Sequence, residues 1–480
     1  MSIDLSTIQP SIALGPLDGR YRRVAAPLVN HLSEPALNRA RVHVEVEWLI
    51  FLLDHQLLPG APQLTGAQRD YLRSIAKDFD ADAIAWIAQA EAQTRHDVKA
   101  VEYYVKHRLD NAPADLEGVE LDGAKLKALH EVVHIFCTSE DVNNLAYALG
   151  IKGAVEQIWL PAARKLEDQL QVMIQAHSAT PMLARTHGQP ATPTTVGKEL
   201  AVFAHRLSRQ RRCVEATEYL GKMNGATGTY AAHVVALPNV DWIAVTEEFV
   251  GSLGLQWNPL TTQIESYDWQ ADLYAHVAHY NRVAHNLATD AWTYISMDYF
   301  HQNLQAQGST GSSTMPHKVN PIRFENAEAN LEVSCALLDN LAQTLTTSRM
   351  QRDLTDSSTK RTIGVALGHS LLALNNLRRG LEGVDVNASK MRADLENNWE
   401  VLGEAVQQTM RVLAIAGVKG MEDPYERLKE LTRGHKIDGS SMRCFIKELG
   451  LPAEQEKRLL ALTPANYVGV APMLTQYIGK

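Results

Sequence analysis

The sequence predicts an all-α protein of three domains, organised on a central bundle of long helices. Three stretches carry that prediction. Residues 194–219, 269–300 and the run from Asn320 to Leu345 each repeat apolar side chains at three- and four-residue spacing. A helix of about 30 residues is about 45 Å long, a length that suits a bundle better than an α/β sheet. No stretch alternates in strand fashion with comparable strength. At 480 residues the chain exceeds one small core. Composition shifts divide it into residues 1–118, 119–383 and 384–480.

The composition narrows the function. Hydrophobic residues make up 45% and charged residues 21%, an ordinary balance for a soluble globular protein. The net charge of −9 argues against nucleic-acid partners. Cys137, Cys213, Cys335 and Cys444 form no Cys-x-x-Cys pair, which points to reduced thiols and a cytoplasmic protein. The N-terminus lacks the pattern of a signal peptide. No run of about 18 apolar residues exists, so no membrane span is expected.

In chain order, residues 1–35 are broken by four prolines and contain the Asp18-Gly19 turn, which presents Arg20 and Tyr21. A helix is predicted over 37–58 through Val42, Val46, Leu49 and Leu53, stopped by Pro59-Gly60. Residues 67–109 are helix-rich and include Arg95-His96-Asp97. Taken alone, that triplet reads as a solvated helix face. Within 123–182 lies His130-Glu131-Val132-Val133-His134. On a continuous helix the two histidines would share one face and bind zinc. The longer zinc-protease pattern needs glycine at position 137 and histidine at position 140, where the chain has Cys137 and Glu140.

The polar run Thr138-Ser139-Glu140-Asp141-Val142-Asn143-Asn144 is unusual in an otherwise apolar region and suggests a wet pocket. His187 sits in Arg185-Thr186-His187-Gly188-Gln189-Pro190, a rigid loop. Thr192 is expected to cap a helix starting at Pro193, which makes His187 an acid/base candidate. Residues 221–229 are glycine-rich without a preceding strand, so they are no dinucleotide fingerprint. Thr261-Thr262-Gln263 forms a polar connector. The segment 349–361 mixes Arg352, Lys360 and Arg361 with hydroxyls, a composition that suits a phosphate grip.

The stretch that organises the rest is Gly311-Ser312-Ser313-Thr314-Met315-Pro316-His317-Lys318-Val319-Asn320. A serine-rich loop runs into a helix signalled by Asn320-Pro321, so its serines and Lys318 lie at the positive end of a helix dipole. The string G-S-S-x-M-P-x-K-x-N resembles the signature of the fumarase/aspartase superfamily. Its seven fixed positions arise by chance at about 10⁻⁹ per start site.

Together with Asp18-Gly19-Arg20-Tyr21, Arg95-His96-Asp97-Val98, Thr138-Ser139-Glu140-Asp141, Arg185-Thr186-His187-Gly188-Gln189 and Arg352-Asp353-Leu354-Thr355-Asp356-Ser357, it resembles the bacterial type of the adenylosuccinate lyase family. The resemblance implies elimination of fumarate from adenylosuccinate and from the related succinylated carboxamide ribonucleotide, without cofactor or metal. It implies Ser312 as the base, with Ser313 as the near alternative, and His187 as the acid for the leaving nitrogen. Lys318 and Asn320 would hold the negative charge that develops.

By the same resemblance Arg20, Tyr21, Arg352, Ser357, Ser358 and Arg361 bind the nucleotide. Thr138, Ser139, Gln263, Ser313 and Asn326 hold the succinyl group, and Arg95, His96 and Asp97 support the site. A homotetramer with each site shared among three chains is implied as well. The zinc peptidase and a non-catalytic helical scaffold are the competing classes.

Overall fold

The computed structural model describes residues 14–116, 118–303, 319–432 and 437–479. Among them, β-structure is confined to five two-stranded pairs, and the other regular elements are helices. The chain forms two compact units, each drawn from separated stretches. One comprises 1–163, 210–282 and 329–375; the other comprises 164–209, 283–328 and 376–480. The helices Leu160–Ala176, Val196–Glu215, Asp268–Ser296, Ile322–Leu345 and Ile363–Glu382 carry residues of both.

The long helices form where apolar spacing predicts them. Asp268–Ser296 has 29 residues, about 44 Å of helix. It buries the stripe Leu273, Val277, Tyr280, Ala284, Leu287 and Ala291, and beside it Tyr274, Ala278 and Ala288. Two adjacent stripes mean contact on more than one face. Ile322–Leu345 buries Phe324, Ala327, Leu331, Ser334, Leu338, Leu341 and Leu345, alternating three and four apart as helices packed nearly parallel require. It starts one residue later than expected, because Pro321 supplies the carbonyl that accepts from Phe324 N at 3.0 Å.

A polar seam crosses the first unit. Asn281 donates to Ser334 Oγ (3.0 Å) and accepts from Ser370 Oγ (2.8 Å), which accepts from Trp159 Nε1 (2.9 Å). Every buried polar group in this seam finds a partner, and the partners fix which helix faces which.

In the first unit, Ser33 Oγ accepts from Ala36 N and caps the helix Glu34–Asp54. That helix ends four residues before the predicted Leu58. Leu57 N bonds Leu52 O (3.0 Å) and Gln56 N bonds Leu53 O (3.1 Å), with Gln56 left-handed: a Schellman closure that needed no glycine. Leu72, Ile75, Val101, Val105 and Leu129 join its buried side chains in one apolar cluster. In the second unit Val406, Met410, Met442 and Ile446 centre another cluster. There the second Gly-Ser-Ser, at 439–441, opens a helix under the Asp438 cap, which accepts from Ser441 N at 2.8 Å. Among the described residues, no helix is long and apolar enough to cross a membrane.

Candidate active site

The turn at 16–21 is closed by Tyr21 N bonding Pro16 O at 2.8 Å. Leu17 anchors it, buried against Gly368; a Cβ at that glycine would come within 2.7 Å of Leu17. Exposed Arg20 lies over the half-buried Tyr21 ring, 5.9 Å from its centre. Leu17, Asp18 and Arg22 of this turn and helix line a cavity of about 340 Å³ together with Arg361. Arg361 donates to Glu34 Oε2 (2.6 Å) and stands 3.8 Å from Asp97 Oδ2.

The Arg95-His96-Asp97 triplet is no uniform helix face. Arg95 is left-handed (φ 53°) and ends the helix Ala81–Thr94. His96 caps the helix Asp97–Asp110, its Nδ1 accepting from Lys99 N at 3.2 Å. Asp97 turns inward and accepts from Arg41 Nη2 at 2.7 Å. Burial pushes the Asp97 carboxyl up, but the Arg41 guanidinium and the Val98 N–H outweigh it and hold it below the usual range. Arg41 is itself buried and passes the connection on, donating from Nε to Asn143 Oδ1 at 2.8 Å.

Asn143 leads to Glu140, which is 1% exposed and is the centre of the arrangement. Glu140 Oε1 accepts from Asn143 Nδ2 (2.7 Å) and Arg352 Nη2 (2.9 Å), and Oε2 accepts from the Tyr267 hydroxyl (3.0 Å). Arg352 Nη1 donates to Gln263 Oε1 at 3.3 Å, and Gln263 Nε2 donates to Ala226 O at 3.0 Å. Behind them Lys360 Nζ bonds Asp356 Oδ2 (2.8 Å) and the Tyr267 hydroxyl (3.0 Å), and sits 3.8 Å from Glu140 Oε2.

Two cations and two carboxyl groups thus balance in a dry setting. Burial alone would neutralise Glu140; Lys360 and Arg352 reverse that and hold its carboxyl low. Burial likewise opposes the Lys360 charge, yet Tyr267, Glu140 and Asp356 keep its ammonium protonated well above the ordinary lysine range. Arg352 Nε and Asp356 Oδ1 are buried with no protein partner among the described residues. Ser357 and Ser358 lie on the short helix Thr355–Lys360, half-buried and exposed respectively.

The N-terminus of the helix Ser139–Ala154 borders this network. Thr138 and Ser139 are half-buried there. A 16-residue helix points its positive end at whatever lies beyond them, an arrangement that favours a carboxylate. The first unit therefore brings together Asp97, Gln263, Arg352 and Arg361 through hydrogen bonds and ion pairs, with Thr138 and Ser139 beside Glu140. Cavities of about 440 Å³, beside Arg39, Arg73 and Lys77, and about 510 Å³, beside Trp86, His107 and His130, contain none of the residues that the lyase resemblance assigns to the site.

His187, Asn320 and Asn326 belong to the second unit. Arg185–Thr186 pairs antiparallel with Gln189–Pro190, so His187 and Gly188 form a two-residue hairpin turn. Both have positive φ, 52° and 75°, as such a turn demands. The imidazole stands exposed at the tip. This corrects the expected helix start at Pro193. Thr194–Thr195 pairs with Pro181–Met182, the helix begins at Val196, and Thr192 Oγ1 donates to Glu404 (2.6 Å) instead of capping it. Asn326 accepts from Asn376 Nδ2 at 2.8 Å, and Asn320 is half-buried ahead of Ile322. Ser312, Ser313 and Lys318 lie outside the described residues.

The zinc alternative loses its geometric premise. His130 and Glu131 end a short 3₁₀ segment, and His134 is left-handed (φ 65°), so the histidines do not share a helix face. His134 Nδ1 instead pairs with the buried Glu45 carboxyl at 2.5 Å.

Sequence reading did not single out Arg41 or Tyr267 as site-building groups, and it placed Asn143, Asp356 and Lys360 in site segments without their partners. The polar run 138–144 was the usable signal for Asn143 and Glu140. Arg41 gives no signal, because a buried and a solvated arginine look alike in sequence.

Comparison with known proteins adds to this geometry. A family profile described as lyase matches residues 19–334, and one described as adenylosuccinate lyase C-terminal matches 348–468. The chain is 45% identical to an adenylosuccinate lyase of Escherichia coli, covering 96% of this chain and 97% of that one. It is 43% identical to one of Haemophilus influenzae, covering 99% of each. In fold it is similar to a 3-carboxy-cis,cis-muconate lactonizing enzyme of Pseudomonas putida, with TM-score 0.71, 19% identity, and coverage of 94% of this chain and 96% of that one. A fumarate lyase of a Mesorhizobium species gives TM-score 0.71 at 17% identity, covering 94% of this chain and 97% of that one.

Proposed function

The chain belongs to the adenylosuccinate lyase family, and from that premise we propose that it eliminates fumarate from adenylosuccinate, leaving AMP. The same chemistry applies to the related succinylated carboxamide ribonucleotide, which leaves its free carboxamide. The observation that carries this reading is the convergence of Asp97, Gln263, Arg352 and Arg361 on the Glu140 network. It unites the cations a phosphate needs with the polar groups a dicarboxylate needs.

The reaction removes a proton from carbon beside a carboxylate and breaks a C–N bond. It requires a base, a counter-charge and an acid. Ser312 is the proposed base, with Ser313 as the near alternative. Lys318 and Asn320 stabilise the doubly charged intermediate, an effect of about 10²–10³ in rate per donor. His187, exposed on its hairpin tip, donates a proton to the departing nitrogen.

Arg20, Tyr21, Arg352, Ser357, Ser358 and Arg361 take the nucleotide, chiefly its phosphate. Arg95, His96 and Asp97 support the site. Thr138, Ser139, Gln263, Ser313 and Asn326 take the succinyl arm, for which the positive helix end at Ser139 provides a physical reason.

A cytoplasmic homotetramer with sites shared between chains completes the proposal. The four cysteines are free, as a reducing compartment requires. Val172, Val202, Trp292, Val333 and Val365 leave large apolar surfaces exposed on long helices, a composition that favours packing against other copies.

The test is direct. Adding adenylosuccinate in the presence of a chelator should change ultraviolet absorbance as fumarate is released. No fumarate would overturn the reading. A fully active monomer in light scattering would overturn the shared site.

A further inference from the structure

One buried ion pair takes no part in the chemistry above. Asp141 follows Glu140 directly, and both Asp141 and Lys222 have no exposed side chain (0%), their charged atoms 2.9 Å apart. Asp141 does more than neutralise Lys222. Its Oδ2 accepts from Thr138 N (2.8 Å) and Gly225 N (3.1 Å), and its Oδ1 accepts from Asn224 N (3.0 Å). One carboxyl group thus joins the start of the helix Ser139–Ala154 to the glycine-rich segment 221–228.

That segment is held at several further points. Asn144 bonds both the N–H and the carbonyl of Lys222, at 2.8 and 3.0 Å. Lys222 Nζ reaches back to Gly225 O at 3.3 Å. Asn224 Nδ2 donates to Thr261 Oγ1 at 2.7 Å. At Gly228 (φ 73°) a Cβ would come within 2.4 Å of Thr261 O, so the segment and the 261–263 connector are in direct contact. Ala226 O receives Gln263 Nε2 at 3.0 Å. Beside the tie through Arg352 and Glu140, a second tie between Gln263 and Thr138–Ser139 therefore passes through Asp141, Asn224, Gly225 and Ala226.

We propose that Asp141 and Lys222 are positioning residues that set the spacing between Thr138–Ser139 and Gln263, and so tune the grip on the dicarboxylate arm of the substrate rather than on its nucleotide. The inference rests on the reading that those three residues hold that arm. Removing one member of an ion pair in a dry interior leaves the other without its counter-charge, and small misplacements in such a site cost affinity or rate steeply.

The experiment uses product inhibition of the full-length enzyme, which separates the two halves of the site. In Lys222→Met, Asp141 keeps its three backbone donors while the cation is lost. The inhibition constant of fumarate should rise about tenfold or more while that of AMP stays within about twofold, since an angstrom of displacement matters only to the displaced groups. A merely structural role would lower the active fraction and leave both constants unmoved, or would raise both together; either result overturns the proposal.

Should Lys222→Met fail to fold, Thr261→Val, which cuts the Asn224 tie and the longer bond of Thr261 Oγ1 to Thr262 O, decides by the same two constants with a smaller rise expected for fumarate. A wild-type enzyme that releases no fumarate sinks the functional reading and this inference with it. A working wild type with unmoved fumarate constants in the variants sinks the inference alone.

Discussion

His134 and His187 share a left-handed backbone, with φ of 65° and 52°, and differ in everything else. His134 meets the buried carboxyl of Glu45 at 2.5 Å and is mostly enclosed. Burial pushes its pKa down, but the Glu45 hydrogen bond and charge, reinforced by Glu102 and opposed by Lys99, raise it above its ordinary value. His187 stands exposed on a two-residue hairpin whose second position is Gly188. The contrast teaches that a strained backbone is not by itself a mark of function. One histidine is held by its side chain as part of the interior. The other is held by its backbone, which leaves the ring available.

Breaking the two sites should give opposite results. His187→Ala should lower turnover by about 10²–10⁴, the usual contribution of a positioned acid. Thermal unfolding followed by circular dichroism should stay unchanged, because an exposed tip carries little stability. Near-normal turnover would remove His187 from the mechanism.

His134→Ala should do the reverse. It leaves Glu45 buried without its partner and should cost about 3–5 kcal/mol in urea unfolding, while the kcat of the folded fraction persists. An unchanged urea midpoint would show that the pair contributes nothing to stability.

Gly188→Ala tests the backbone half of the comparison. No atom lies within 4 Å of the added Cβ, so its cost is the left-handed penalty alone, about 1–2 kcal/mol. Turnover should fall as the hairpin tip shifts. Full activity would mean that the tip geometry is not needed.

The smallest effect is in pH. The His134 pKa is raised on folding, so its contribution is complete below the unfolded value of 6.5 and is lost as pH rises through the folded value. The urea midpoint should therefore drift downward with rising pH in wild type, and His134→Gln should flatten that drift. An equal slope in both proteins would assign the drift to other groups.

Much of the bundle was legible because long helices repeat their instructions. Phe324, Ala327, Leu331, Ser334, Leu338, Leu341 and Leu345 spell out one buried stripe at heptad spacing, and their helix ends at the predicted residue. Boundaries set by local hydrogen bonding were harder. The Schellman closure at Gln56 used no glycine, and Pro193 entered a short strand connection where a helix start was expected. The His-Glu-x-x-His string matched a motif whose helix never forms.

The candidate site divides in the same way. The segments at 138–140, 187 and 352–361 stood out by residue type, and 95–97 and 263 were drawn in by the family resemblance alone. Their partners were not legible. Arg41 and Tyr267 were not singled out, and Lys222 and Lys360 were seen only as members of a glycine-rich and a cationic segment, yet each is buried and tied to a site segment distant in the chain.

By itself the sequence determined the helical architecture, the family and the inventory of chemical groups, because apolar periodicity and local motif spacing are properties of neighbouring residues. Only the tertiary structure decided that Glu140 faces Arg352 and Lys360 while Asp141, one residue on, faces Lys222 and the glycine-rich segment. A buried charge is stable only beside compensating groups, and those groups come from distant parts of the chain that folding brings together.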